Sequence, residues 1–186
     1  MTKQERNRLG PSITIPSMKK TIALLLLATS SAALAHPGDH AGGVLHGFAH
    51  PFAGLDHLLA LLAVGIWAAR LPSAARWQLP AVFVCFMAIG AMLGGLALPF
   101  VEPMVALSVL VFGLAATLAK RLPLSVGGGT VALFALYHGH AHFTEMPDTS
   151  PAGFLAGMLL ATALLQLVGA LLALAAFLRA RSFRAG

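Results

Sequence analysis

Charged side chains are scarce in this sequence, since Asp, Glu, Lys and Arg make up 10% of its 186 residues. A soluble domain has about 25% charged residues, so the composition excludes an ordinary soluble protein. Hydrophobic residues make up 58% of the chain, which excludes a disordered protein, because disorder requires low hydrophobicity and high charge. The composition and length therefore predict one integral membrane domain.

The sequence also has only one cysteine and no nucleotide-binding motif. The single cysteine, Cys85, excludes an intramolecular disulfide and a CxxC metal site. Glycines 127–129 do not belong to a phosphate-binding loop, so we do not expect this chain to hydrolyse ATP. The net charge of +6 is divided among small separate groups of Lys and Arg rather than placed on one basic face, so nucleic acid is not an expected partner.

Residues 1–35 are typical of a secretory signal peptide. Lys19 and Lys20 precede a short apolar segment, and residues 33–35 form an A-x-A cleavage site. Met18 is a second candidate start for this segment. Cleavage would leave residues 36–186 as a single transmembrane domain in the bacterial inner membrane, with its N-terminus in the periplasm.

Five long apolar stretches follow, separated by short polar segments. Each is long enough to cross a hydrocarbon core of about 30 Å as an α-helix, and none has the alternating pattern of a membrane strand. The sequence therefore predicts an all-α, polytopic bundle of five transmembrane helices, over residues 49–69, 77–98, 103–119, 122–142 and 151–178.

Basic residues occur only in alternate segments between these stretches. They follow the first, third and fifth stretches, whereas the other two connecting loops carry acidic residues and no Lys or Arg. Because Lys and Arg accumulate on the cytoplasmic side of membrane proteins, this distribution predicts a periplasmic N-terminus and a cytoplasmic C-terminus.

The eight histidines are confined to two short windows, residues 36–57 and 138–142. The predicted topology places both windows on the periplasmic side. His46, His50 and His57 are four and seven residues apart, so an uninterrupted helix would present them on one face. His138, His142 and Glu145 are four and three residues apart and would likewise lie on one helical face. The two windows therefore form one candidate site at the periplasmic ends of two helices.

Imidazole and carboxylate ligands without thiolate favour Ni²⁺, Co²⁺, Zn²⁺ or Cu²⁺ over Mg²⁺ or Ca²⁺. A carboxyl group inside the hydrocarbon core, where Asp56 is predicted to lie, costs about 2.5–3.5 kcal/mol to insert unless it is partnered. This cost favours a functional role for Asp56. That residue would either bind the metal or hydrogen-bond a ligating imidazole. The predicted metal ligands are His50, Asp56, His57, His138 and His142, and the additional candidates are His36, His40, His46, His140 and Glu145.

Other interpretations of these residues stay open. His46 or His140 could form only an interhelical hydrogen bond. His36 and His40 could belong to a polar terminus rather than to a metal-capture site. The two windows also allow a proton relay, haem ligation, or a membrane enzyme in which Glu145 is the base for a metal-bound water.

The two windows resemble motifs of the HupE/UreJ family of nickel/cobalt permeases. Residues 50–57 read HPFAGLDH and match the motif HPxxGxDH, and residues 132–145 read ALFALYHGHAHFTE and resemble ALFALxHGxAHGxE. Phe143 stands where the family usually has glycine, which is expected to tighten the loop or to alter access to the outer mouth. The resemblance covers nearly all of the predicted mature chain. It implies supply of Ni²⁺ or Co²⁺ to hydrogenase, urease or cobalamin-related enzymes.

We therefore expect a secondary permease rather than an enzyme, which moves Ni²⁺ or Co²⁺ across the membrane without a permanent cofactor. The expected partners are the divalent metal ion and the lipid bilayer. The resembled family typically has six helices, so a five-helix chain could transport as a homo-oligomer. The alternative function is a non-transporting metal-binding or sensory subunit. Because ligating histidines must be deprotonated, uptake is expected to weaken below about pH 6.

Overall fold

The computed structural model describes residues 43–118, 122–143 and 145–185. Within these ranges the chain forms helices and no strand, which confirms the all-α class. The predicted signal peptide and the candidate ligands His36 and His40 lie outside the described residues.

Six α-helices follow one another along this part of the chain. They are α1 (Gly43–Ala49), α2 (Leu55–Ala69), α3 (Gln78–Met92), α4 (Val101–Leu118), α5 (Leu124–Phe143) and α6 (Pro151–Ala185). Short 3-10 turns, His50–Phe52 and Ser73–Ala75, precede α2 and α3. Helices suit these apolar runs, because a helix satisfies its backbone polar groups within one segment and needs no water to do so.

Three segments are long and apolar enough to cross a membrane, namely Ser73–Met92, Val101–Leu118 and Pro151–Phe183. The bent pair formed by α1, its 3-10 turn and α2 is a fourth candidate span. α5 is not among these, since its four glycines and three histidines lower its hydropathy. The polytopic membrane class is confirmed, and the number of five spans stays a prediction.

The first apolar stretch is not the single helix that the sequence predicts. The chain bends by 82° between the 3-10 turn after α1 and the start of α2. Pro51 lies at the start of that turn and cannot donate a backbone hydrogen bond, and Gly54 is extended just before α2. The prediction that one continuous helical face holds His46, His50 and His57 is therefore wrong.

Two other helices differ from their predicted bounds. α3 ends at Met92, before the predicted end at residue 98, because Gly94 and Gly95 favour turn conformations. α6 continues to Ala185, past the predicted end at residue 178, since its last residues include the strong helix formers Leu, Arg and Ala.

The helices pack in close pairs around a buried aromatic core. α5 lies against α3, α6 lies against α1 and α2, and α2 lies against α4. The largest fully buried side chains include Trp67, Phe83, Phe112 and Phe154. At Gly139 the backbone of α5 comes so close to Met87 of α3 that a β-carbon would clash with its carbonyl oxygen. Small residues at such crossings let membrane helices approach closely. The crossing at Gly139 fixes the position of the second histidine window, which includes this glycine.

Candidate metal centre

Four histidines from the two windows meet at one end of the bundle. The ring centroid of His142 lies 4.6 Å from that of His50 and 4.5 Å from that of His57. The ring centroid of His138 lies 5.0 Å from that of His57. Because the chain bends between them, His50 and His57 reach the α5 histidines from two elements that differ in direction.

Exposure decreases from one side of this cluster to the other. The side chain of Glu145 is 41% exposed, that of His50 is 21% exposed and that of His57 is 16% exposed. His138 and His142 are buried. A cation that enters from the surface therefore meets the carboxylate first and the buried imidazoles last.

Asp56, in the first turn of α2, orients His57. Its Oδ1 accepts one hydrogen bond from the backbone N–H of His57 at 2.8 Å and another from His57 Nδ1 at 2.9 Å. A carboxylate can only accept, so the imidazole proton lies on Nδ1 and Nε2 keeps its lone pair. His57 Nε2 is buried and has no hydrogen-bond partner among the described residues. The N-terminal end of the α2 dipole also stabilises the Asp56 charge.

The space for this pair depends on Gly54. A β-carbon at that position would lie 2.9 Å from Asp56 Oδ1 and 3.1 Å from His57 Nδ1. Both contacts are tighter than ordinary van der Waals distance, so a larger residue would press directly on the hydrogen bond. This crowding explains why the HPxxGxDH pattern has glycine at this position.

Glu145 orients His142 in the same way. Its Oε2 accepts hydrogen bonds from His142 Nδ1 and from His50 Nε2, each at 2.9 Å. His142 Nε2 is left buried and unpartnered within the described ranges. Burial alone would raise the pKa of Glu145, but its hydrogen bonds with His142 and His50 outweigh burial and hold that pKa below its ordinary value. Glu145 is therefore ionised at neutral pH.

Ser108 in α4 orients His138, and sequence reasoning missed it. The Ser108 hydroxyl donates to the carbonyl of Val105 at 2.6 Å, so at 2.9 Å it accepts from His138 Nε2. The imidazole proton then lies on Nε2, and the lone pair lies on the buried Nδ1, which has no partner in the described part of the chain. No sequence signal marked Ser108, because a serine within an apolar helix usually bonds only its own backbone.

Three imidazole nitrogens thus present unused lone pairs inside the bundle, namely His57 Nε2, His138 Nδ1 and His142 Nε2. The other nitrogen of each ring is held by a carboxylate or a hydroxyl. Buried polar atoms normally have partners, and a metal-ligating imidazole normally has its second nitrogen held in this way. The arrangement fits an inner position for a divalent transition metal.

A second, outer position lies nearer the surface. Among the described residues, His50, His142 and Glu145 are the group whose ligand atoms all lie within 4.8 Å of one another. His142 contributes to both positions, since its Nδ1 faces Glu145 and its Nε2 belongs to the inner set. His57 and His138 are outside the 4.8 Å group, so the inner set closes on a metal only after its rings shift.

His46 and His140 lie outside the four-histidine cluster, although the ring centroid of His46 lies 6.5 Å from that of His50. His46 is exposed and packs edge-on against Phe154, with ring centroids 5.4 Å apart. His140 Nε2 donates to the backbone carbonyl of Leu96 at 2.6 Å. That contact is the structural hydrogen bond that the sequence left open as the alternative for His140.

Phe143 lies at the outer end of α5. Its ring lies so close to Gly94, just past the end of α3, that a β-carbon at residue 94 would clash with it. The contact ties α5 to the turn after α3. This favours the tightening effect that the sequence suggests for the substitution of glycine by phenylalanine.

The sequence matches one family along most of its length. The model of the family described as "HupE / UreJ protein" matches residues 24–185. The curated protein named "Protein HupE" from Rhizobium leguminosarum bv. viciae is 47% identical over 154 residues, which cover 81% of this chain and 81% of that protein. No solved structure matches the chain.

Proposed function

The chain belongs to the HupE/UreJ family, and we propose that it is a secondary permease that takes up Ni²⁺, or Co²⁺, across the bacterial inner membrane. The observation that carries this proposal is the set of three buried imidazole lone pairs at one end of an apolar helical bundle. Neutral nitrogen donors with nearby carboxylates suit a late first-row divalent ion. Ni²⁺ and Co²⁺ are the ions that the family motifs favour.

The outer position takes up the ion first. Glu145 is ionised and partly exposed, so it attracts a hydrated cation and replaces part of its water shell. When the cation binds Glu145, it displaces the imidazole N–H groups of His50 and His142 from the carboxylate. Both rings are then free to change tautomer and to offer a lone pair to the ion.

The inner position receives the ion from the outer one. His142 belongs to both sets, and the ion moves inward as this ring returns to the tautomer whose Nε2 lone pair faces the inner position. Asp56 and Ser108 keep His57 and His138 in the tautomers that place lone pairs toward the inner position. A conformational change of the bundle then releases the ion toward the cytoplasm.

A second candidate function is a non-transporting metal-binding or sensory subunit. Phe83 is fully buried, its ring centroid lies 5.5 Å from that of His138, and it packs against the buried Phe112. These rings fill the bundle interior beside the innermost histidine. A sensor needs only a closed binding site of this kind, whereas a permease has to open it.

Purified protein in sealed liposomes separates the two functions. We expect radiolabelled Ni²⁺ to accumulate in the lumen with the wild-type chain and not with His138→Ala, while His140→Ala serves as the matched control that retains transport. Metal bound to the wild-type protein without luminal accumulation would identify a sensor. Competition by unlabelled Co²⁺ and Zn²⁺ in the same assay ranks the transported ions.

A further inference from the structure

A large cleft lies at the end of the bundle opposite the histidine cluster. It has a volume of about 1490 Å³ and is bordered by α2, α3, α4 and residues 163–177 of α6. His57 lies at the start of α2, and Arg70 follows the end of that 15-residue helix, about 20 Å away along its axis. The cleft is therefore separate from both metal positions.

The charge of the cleft is of one sign. Of the described side chains that line it, the charged ones are Arg70 and Arg76. Arg70 Nη1 donates to the carbonyl of Ala116 at 3.0 Å, and Arg76 Nε donates to the carbonyl of Leu71 at 3.1 Å. Each guanidinium is thus fixed by one bond and has further N–H donors for an anion. Two positive charges disfavour a metal cation here, so the cleft does not suit an exit chamber for Ni²⁺.

The walls of the cleft are apolar and open to the outside. Leu171 is 54% exposed, Phe177 is 56% exposed and Trp77 is 73% exposed, and all three line it. Tryptophan at the edge of an apolar bundle is typical of the boundary between hydrocarbon and water. The exposed wall therefore suits hydrocarbon rather than a water-filled chamber.

A buried amide provides an independent sign of a ligand. Gln166 lines the cleft and is 1% exposed, yet neither its Nε2 nor its Oε1 has a hydrogen-bond partner among the residues described. Gly65 of α2 packs against the backbone of Gln166, so this amide lies about 7 Å deeper than Arg70 along α2. Phospholipid ester carbonyls likewise lie deeper in a bilayer than the phosphate.

We propose that this cleft binds an anionic glycerophospholipid. Its phosphate is held by Arg70 and Arg76, an ester carbonyl accepts a hydrogen bond from the Gln166 amide, and an acyl chain lies against Leu171 and Phe177. Basic pockets between transmembrane helices are suited to anionic headgroups, and the apolar wall provides for the chain. A lipid bound here would join α2, α3 and α6 at the end of the bundle away from the metal site.

Native mass spectrometry of the full chain in detergent, with equimolar phosphatidylglycerol and phosphatidylethanolamine, tests the charge requirement. We expect the wild type to retain phosphatidylglycerol, and the double variant Arg70→Gln, Arg76→Gln to bind it about 30-fold more weakly. The matched control is Arg179→Gln, compared with the single variant Arg70→Gln, because it removes the same charge from a residue of α6 that does not line the cleft, and it should bind like the wild type. An equal loss in these two single variants would overturn the proposal, because it would indicate general surface attraction.

The acyl requirement is tested separately, with both arginines kept. Ala163→Phe, which fills the apolar part of the cleft, should weaken phosphatidylglycerol binding, and Ala156→Phe, at an exposed position near the start of α6, should not. Inorganic phosphate at millimolar concentration should leave the bound lipid in place. Undiminished lipid binding by Ala163→Phe, or displacement of the lipid by phosphate, would overturn the lipid assignment, and neither result bears on metal transport.

Discussion

Polar side chains are arranged in opposite ways at the two ends of this bundle. The histidine end contains His57, His138 and His142, and the arginine end contains Arg70 and Arg76. At the histidine end, the imidazoles of His57, His138 and His142 are each held at one nitrogen, and the other nitrogen has no partner among the described residues. At the arginine end, each guanidinium stays exposed, donates one bond to a backbone carbonyl and borders an apolar cleft. The first pattern concentrates lone pairs for a cation, and the second concentrates N–H donors for an anion. The two proposed sites, which suit ions of opposite charge, thus lie at opposite ends of one short helix, α2.

If the two ends are independent, loss of an inner metal ligand should reduce metal uptake more than any other substitution at the histidine end, and it should leave lipid binding unchanged. We expect His57→Ala to reduce cellular uptake of radiolabelled Ni²⁺ by more than about 100-fold, because it removes one of three inner lone pairs. Retention of phosphatidylglycerol and the amount of protein in the membrane should not change. The control is His140→Ala, which removes an imidazole outside the cluster. Normal uptake by His57→Ala would show that the inner position is assigned to the wrong residues.

Loss of the outer carboxylate is expected to have the next largest effect. Glu145→Gln keeps an acceptor oxygen for one imidazole but removes the charge that attracts the cation, so metal affinity should fall roughly 10- to 100-fold. Titration of the purified variant with Ni²⁺ by calorimetry measures the change. Glu102→Gln, an acidic residue in the first turn of α4, is the matched control. An equal loss in the control would indicate a general effect of surface charge.

The pH dependence distinguishes imidazole from carboxylate at the histidine end. Uptake by the wild type should fall on acidification, because protonated imidazole cannot bind metal. Glu145 does not cause this fall, since its hydrogen bonds hold its pKa below the ordinary value. The stability that those bonds contribute is present above the unfolded pKa of about 4.3 and is lost only as pH falls through the lower folded pKa. Circular dichroism should therefore show intact helices at the pH where uptake is first lost. Parallel loss of helix and uptake would contradict this account.

A smaller effect is expected at Ser108, which acts on the metal only through His138. Ser108→Ala should weaken Ni²⁺ binding about tenfold, the lower end of the range for residues that orient a ligand. Nitrogen-15 NMR of histidine-labelled protein should show His138 losing its preference for the Nε2–H tautomer, which a purely structural defect would not produce. Thr117→Ala is the control, since that hydroxyl in the same helix bonds only the carbonyl of Leu114. An unchanged His138 tautomer in Ser108→Ala would exclude the orienting role.

The smallest effect is expected from Gly54→Ala. The added methyl presses on Asp56 Oδ1, and a flexible side chain can move away, so we expect a loss of affinity of only a few-fold. A matched substitution at Gly95, where a β-carbon would meet nothing within 4 Å, should be neutral. Equal effects of the two substitutions would mean that the crowding at Gly54 does not affect metal affinity.

Composition and spacing were sufficient to predict the helical membrane class and to select the histidines that meet in the structure. The same spacing argument failed for the first window, because Pro51 and Gly54 turn the chain before α2 begins. His50 and His57 come together through that bend and not through a shared helical face. Periodicity describes a straight helix and cannot give the direction of a break.

The partners of the histidines were predictable only where they are near in sequence. Asp56 is one residue from His57 and Glu145 is three residues from His142, and the sequence marks both as carboxylates in an apolar chain. The second bond of Glu145, to the distant His50, has no such signal. Ser108 is 30 residues from His138, and its hydroxyl resembles any other in a membrane helix. Only the packing of α4 against α5 shows that it meets an imidazole.

The shared position of His142 sets a limit on stoichiometry. A neutral imidazole has one N–H and one lone pair, so this ring can serve the outer or the inner position but not both together. A metal ion in one position therefore removes a ligand from the other position. The outer and inner positions should be occupied one at a time and not both at once. A metal titration of the purified protein should then saturate at a single ion per chain, although the structure offers two places for it.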